Sequence, residues 1–154
     1  MRQTERSPFW RPSESFVVKL HFLGANRQVT GSRYCLEVGN RRLMVDCGLF
    51  QEREFKDRNW EPCPLSPDSI DALVLTHAHI DHCGLVPRLV KDGFKGPVYA
   101  TEPTADLLGL MWEDSARIQE EDAKYKQKRH KKEGKVSPRG YAPLYDEDDV
   151  QRAI

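Results

Sequence analysis

The chain has 154 residues, enough for one domain with a real core, and its 24 Lys/Arg balance 24 Asp/Glu. A net charge of zero excludes recognition of nucleic acid or membrane through bulk charge, so any polyanion contact has to be local. With 38% hydrophobic and 31% charged residues it is more polar than a typical domain, and the excess sits at positions 121–140, where eight Lys/Arg face three Asp/Glu.

Positions 1–14 hold two prolines, several charges and no periodicity, and are expected to form a flexible N-terminus ahead of a domain at 15–154. No segment there has the apolar centre of a secretory leader, and no apolar run approaches the roughly 18 residues of a membrane span. Four scattered cysteines without a C-x-x-C pair read as reduced thiols. The expectation is a soluble, cytoplasmic protein with no membrane partner.

From Phe16 to Leu23 apolar and polar residues alternate, placing Phe16, Val18, Leu20 and Phe22 on one face of a strand. A turn-rich loop runs to Ser32, and a second strand covers 33–38. Gly39-Asn40 is a hairpin turn, since both residues tolerate positive φ. A third strand, 41–45, ends at Asp46-Cys47-Gly48. Positions 52–68 are irregular, with three prolines. A compact apolar strand at 70–75 delivers His77; a helix over 81–90 follows, with Pro87 in its first turn, and then a short strand at 96–100.

A long helix starts near Thr101, with Thr101 or Thr104 as N-cap and Pro103 in the first turn. Its apolar stripe is Leu107, Leu108, Met111, Ser115 and Ile118. Beyond Glu120 the stripe fades into the basic stretch, 121–140, which reads as a solvated helix end or flexible linker in preference to an RNA contact. Residues 145–149 begin a further helix, acidic in its first turn. The sequence ends about one turn into it, and the expectation is a chain cut short. Strands paired by a hairpin and then alternating with helices predict a layered α/β domain.

The chemistry is concentrated in Thr76-His77-Ala78-His79-Ile80-Asp81-His82-Cys83-Gly84. Three of the five histidines and a carboxylate fall within six positions, between an apolar strand and a helix. Imidazole and carboxylate are the donors that bind zinc and its first-row neighbours. A strand end aims His77 and His79 the same way, and the following turn brings Asp81 and His82 to an adjacent point. Two donor pairs at adjacent points predict a two-metal centre with ions about 3.5–4 Å apart. The bland alternative is a polar surface turn. Four donors in six positions at a strand's C-terminal edge outweigh it.

These residues match the H-x-H-x-D-H signature of the metallo-β-lactamase fold, and the chain resembles that family. Asp46-Cys47-Gly48-Leu49-Phe50-Gln51 resembles the first motif of its β-CASP branch, the RNA-processing nucleases that include ribonuclease J and the mRNA 3′-end endonuclease. Val29-Thr30-Gly31-Ser32 is similar to the loop ahead of that motif, and Cys83-Gly84-Leu85-Val86-Pro87 to the segment after the ligands. The resemblance runs from about residue 17 to the end. It implies an αββα sandwich of which the chain holds the N-terminal half, leaving the inner face of its sheet uncovered.

The resemblance further implies His77 and His79 as ligands of one zinc, and Asp81 and His82 of a second, with manganese as the alternative metal. Asp81 would also be catalytic, orienting the attacking water. Asp46 would orient a ligand from behind, and Thr30, Gly31 and Ser32 would lie near the metals. The implied reaction is phosphodiester cleavage in RNA by a two-metal hydroxide mechanism. The family completes this site with a third histidine, a bridging aspartate and later motifs that the chain does not contain. His130 reads as solvent-exposed and His21, with Lys19 on its face, as structural. This chain alone is therefore expected to be inactive. Two alternatives stay open: another hydrolase of the same fold, acting on thioesters or esters, and a non-catalytic metal-binding or partner-binding remnant. The oligomeric state is open.

Overall fold

A computed structural model describes residues 17–154; Phe16 and the expected flexible terminus, 1–14, lie outside the described residues. The strands are β1 (Val18–Phe22), β2 (Tyr34–Val38), β3 (Arg41–Val45), β4 (Ala72–Val74) and β5 (Val98–Tyr99). They form one five-stranded sheet in the order β1-β2-β3-β4-β5. β1, β2 and β3 pair antiparallel, with Leu20 opposite Leu36 and Leu36 opposite Leu43. The β2–β3 turn places Gly39 at φ +58°, a conformation that glycine adopts without a Cβ penalty. β3–β4 and β4–β5 are parallel, so each connection has to cross over outside the sheet.

The β4–β5 crossover carries the expected helix at 81–90 as two shorter ones, α1 (Ile80–Cys83) and α2 (Val86–Lys91), interrupted at Gly84-Leu85. The interruption has a cause. Leu85 N–H donates to the Cys47 carbonyl at 2.8 Å, outside any helix, and Pro87 then occupies the first turn of α2 without needing a donor.

α3 (Glu102–Glu133) is one 32-residue helix, starting after Thr101 and ending at Gly134 with φ +65°. It carries the basic stretch as far as Glu133, so most of 121–140 is a helix end with a solvated face, the first of the two forms expected for it. That face holds local pairs such as Lys124–Glu120 and Arg129–Glu133. The buried stripe differs from the expected one: it is Thr104, Leu108, Trp112 and Ala116, a strict spacing of four, while Leu107 and Ile118 are half exposed. Trp112 decides the rotation. It has the largest apolar surface on the helix, and its indole N–H reaches the Cys83 carbonyl at 3.0 Å.

α4 (Glu147–Gln151) opens with a capping box between Asp146 and Asp149. The core lies between one face of the sheet and the helices: Met44 and Leu73 pack with Val86, Leu89, Phe94, Leu108, Trp112, Leu144, Tyr145 and Val150. Among the described residues no helix is long and apolar enough to cross a membrane.

Candidate metal centre

The H-x-H-x-D-H segment leaves the sheet at the C-terminal end of β4, where ligand sites of parallel sheets gather. Two other loops hold it in place through their backbones. Ser32 N–H donates to the Asp81 carbonyl at 2.9 Å, Cys47 N–H to His82 at 2.7 Å and Leu49 N–H to Ile80 at 3.1 Å. Gly48 N–H closes the set onto Ser32 at 3.0 Å. The packing here requires a glycine at 48, because a Cβ would run into the Asp81 carbonyl. Gly31, at φ +81°, has Phe50's ring in the place of a side chain.

Asp46 is 2% exposed and adopts φ +58°, a left-handed conformation that Asp reaches more readily than most residues. That backbone turn aims its carboxylate back under the histidines. Oδ1 accepts Thr76 N–H at 2.8 Å, Oδ2 accepts the Thr76 hydroxyl at 2.9 Å, and Oδ2 lies 2.8 Å from His82 Nδ1. A buried carboxylate satisfied this way is a fixed anchor.

The hydrogen-bond chain assigns both ring tautomers. Asp46 can only accept, so His82 carries its proton on Nδ1 and keeps the Nε2 lone pair. Thr76 spends its one hydroxyl proton on Asp46, so it accepts from His77 Nδ1, 2.9 Å away. His77 then also presents a free Nε2. Behind a metal-ligating histidine, a carboxylate or hydroxyl on the other nitrogen is the common arrangement.

The three rings cluster, His77 lying 4.0 Å from His82 and 4.6 Å from His79 between centroids. Asp81 Oδ2 lies 3.5 Å from His82 Nε2. The donor types and tautomers fit a divalent ion. Among the described residues, however, no three His, Cys, Asp or Glu side chains converge to hold one between them. His77 and His79 meet edge to face, at 71° between ring planes, and His77 and His82 lie tilted at 46°.

The structure thus brings His77, His79, Asp81, His82 and Asp46 to one loop cluster, with Thr30, Gly31 and Ser32 beside it. Sequence reasoning missed Glu52. Its carboxylate accepts Val29 N–H and Thr30 N–H, each at 2.9 Å, together with the Thr30 hydroxyl. The Thr30 hydroxyl, more than any other group, pulls the Glu52 carboxyl down to about 2. A carboxylate six residues past Asp46 was a usable signal, but only the fold shows which loop it faces. His130 corrects an expectation: it is half-buried, with Nδ1 3.0 Å from the Tyr141 hydroxyl, because the chain after Gly134 folds back onto α3. His21 lies on β1, its Nε2 3.5 Å from a Glu37 carboxylate oxygen.

Residues 29–152 match the metallo-beta-lactamase superfamily, and the chain belongs to it. It is 46% identical over 98 residues to "Ribonuclease TTHA0252" of Thermus thermophilus, covering 64% of this chain and 22% of the relative. It is 41% identical over 111 residues to "Transcription termination factor FttA" of Methanococcus maripaludis, covering 70% of this chain and 17% of that one. The FttA of Pyrococcus horikoshii aligns with all of the chain at 28% identity, over 23% of its own length. The chain thus spans about a fifth of the length of these curated relatives. The resemblance to the β-CASP branch read from the motifs holds, and membership of the superfamily implies divalent metal binding.

Proposed function

We propose that this chain is the metal-binding part of a zinc-dependent ribonuclease, with manganese as the alternative ion. The observation that carries the reading is the buried Asp46 carboxylate, which through Thr76 and His82 turns two imidazole Nε2 lone pairs outward from one rigid loop. His77 and His79 are assigned to one ion, and Asp81 and His82 to a second. When bound, such ions act as Lewis acids and lower the pKa of water toward about 7. Asp81 orients the attacking water, and Asp46 and Thr76 hold the rings in register. The named ribonuclease relative supports RNA as substrate. The four free cysteines fit a reducing compartment, and we place the protein in the cytoplasm.

The chain supplies two protein donors per ion, against three in a catalytic zinc site and four in a structural one. Calorimetric titration with zinc is therefore expected to give micromolar or poorer affinity, lost in a His77→Ala/His79→Ala double variant. Asp46→Ala should weaken binding about 10–100-fold while leaving some. Tight binding of two ions per chain, or equal binding by the double variant, would refute the assignment. The reaction is tested on labelled single-stranded RNA, using a longer protein that contains this chain and the remaining family motifs. Metal-dependent cleavage should appear and vanish in Asp81→Ala, while the 154-residue chain itself stays inactive. Hydrolysis of a thioester with no action on RNA would move the reading to the other hydrolase class.

A further inference from the structure

A second recess lies away from the ligand loop, where the distal half of α3, the 3-10 turn at Lys56–Trp60 and the segment returning after Gly134 meet. Its volume is about 320 Å³, at the small end of the range for small-molecule sites. Two aromatic side chains face it, Trp60 and Tyr141, with His130 of α3 joined to the Tyr141 hydroxyl. Trp60 is 40% exposed although it is among the largest apolar side chains in the chain.

The lining carries three cations, Lys56, Lys126 and Arg139, against the carboxylates Asp57 and Asp122. Arg139 is already committed. Its guanidinium bonds Asp57 at 2.8 Å and lies 5.7 Å from the centre of the Trp60 ring. That pair cancels one charge of each sign and backs the indole with a flat cation. Lys56 and Lys126 form no ion pair among the described residues, so two ammonium groups are set against Asp122 alone.

An exposed indole backed by a guanidinium, with two uncommitted ammonium groups beside it, matches a flat π-system carrying negative charge. An apolar ligand would leave the lysines unused; a bare anion would leave the indole unused. We propose that this cleft binds one nucleotide of a single-stranded RNA, its base stacked on Trp60 and its flanking phosphates on Lys56 and Lys126. The site gives the chain an RNA grip separate from the metals. It rests on the proposed ribonuclease reading only for the choice of RNA as the strand.

The recess also explains a feature of the sequence. Positions 121–140 hold a surplus of Lys/Arg, yet most of them radiate around a solvated helix. Only Lys126 and Arg139 are brought to the aromatic pair, by the chain reversal at Gly134. Charge density alone does not make the site; the fold-back does.

The test is fluorescence anisotropy of a labelled eight-nucleotide oligoadenylate RNA titrated with the 154-residue chain, with chelator present throughout. A failure of the nuclease reading then leaves this measurement untouched. Trp60→Ala is expected to weaken binding about five- to a hundredfold, the loss of one stacking platform, while Trp60→Phe retains most of it and controls for folding. Lys126→Ala should lower the slope of log K against log salt by about 0.7, one phosphate contact. Lys132→Ala, on the exposed side of the same helix and outside the cleft lining, should bind nearly as the unaltered chain does. Unchanged affinity in Trp60→Ala, or a loss in Lys132→Ala as large as in Lys126→Ala, would overturn the proposal. Displacement of the RNA by an equal concentration of inorganic phosphate or of a polyglutamate peptide would overturn it as well, since either would mean that charge alone is read.

Discussion

The two faces of the sheet both carry apolar residues, and these have opposite fates. On the helix side Cys35, Met44 and Leu73 are fully buried, Met44 and Leu73 in one core cluster with residues of α2 and α3. On the other side Val18, Leu20 and Phe22 of β1 are 58%, 54% and 59% exposed, and their neighbours Tyr34, Leu36, Val38, Leu43, Val45 and Val74 are only half-buried. A sheet with hydrophobic residues on both faces is built to be covered twice. The αββα sandwich expected from the family places its second sheet on this open side. The comparison teaches that alternation in a strand says which residues share a face and nothing about whether this chain covers it. The ligand loop belongs to the finished side: its partners 30–32 and 46–49 are largely buried, and Trp112 ties it to α3.

The largest expected contrast comes from truncating one residue on each side. Trp112→Ala removes the centre of the covered core and leaves the Cys83 carbonyl without its donor, for a loss of about 3–5 kcal/mol. Leu20→Ala should fall within about 0.5 kcal/mol. Urea denaturation of the two variants measures the gap, and equal losses would mean the open face is covered in solution. Next in size is Gly48→Ala, where a Cβ meets the Asp81 backbone; about 1–3 kcal/mol is expected, with zinc affinity falling alongside stability. A variant as stable as the parent would show that the three-loop clamp yields easily.

A smaller effect comes from acid. The Glu52 carboxyl sits at about 2 in the folded chain against an ordinary 4.5, chiefly through the Thr30 hydroxyl. A depressed carboxylate stabilises the fold above its unfolded pKa, and the contribution is lost as pH falls through the window from 4.5 to 2. Melting curves of the parent and Glu52→Gln should therefore differ at pH 6 and converge toward about pH 2. A constant gap across that range would assign Glu52 no such role.

How much of this was legible in the sequence depends on the range of the forces involved. The hairpin at Gly39-Asn40, the Thr101 start of α3 and the gathering of His77, His79, Asp81 and His82 on one loop after β4 are local patterns, and they were readable. The buried stripe of α3 was not. Leu107, Leu108, Leu110, Met111 and Ile118 surround much of the helix, and only the fit of Trp112 over the ligand loop selects among them. The break at Gly84-Leu85 was hidden for a similar reason, because Cys47, 38 residues earlier, captures the Leu85 amide. His130 looked like one member of a charge run until the chain reversal at Gly134 supplied Tyr141. Glu52 needed the loop at Thr30, and nothing in its own neighbourhood announces that partner.

The smallest change in stability should accompany the clearest change in behaviour. Leu20 and Phe22 already meet water over half their surface, so Leu20→Thr and Phe22→Thr together remove little buried area and place β-branched residues, which suit strands, in an edge strand. The melting point should move by no more than a few degrees. Self-association should move a great deal, because a continuous apolar face across several strands exceeds the few hundred square ångströms that a monomer ordinarily exposes. Among the described residues β1 also ends the sheet, so its outer backbone edge adjoins the apolar face and invites pairing with a second chain. The unaltered chain is expected to sediment as dimers or larger species at micromolar concentration, and the double variant to shift toward monomer. Sedimentation velocity across a concentration series distinguishes the outcomes. If the unaltered chain is a sharp monomer with a cooperative melt, the open face does not drive association. If instead the double variant unfolds, β1 carries more of the fold's stability than its exposure indicates, and the contrast between the two faces fails.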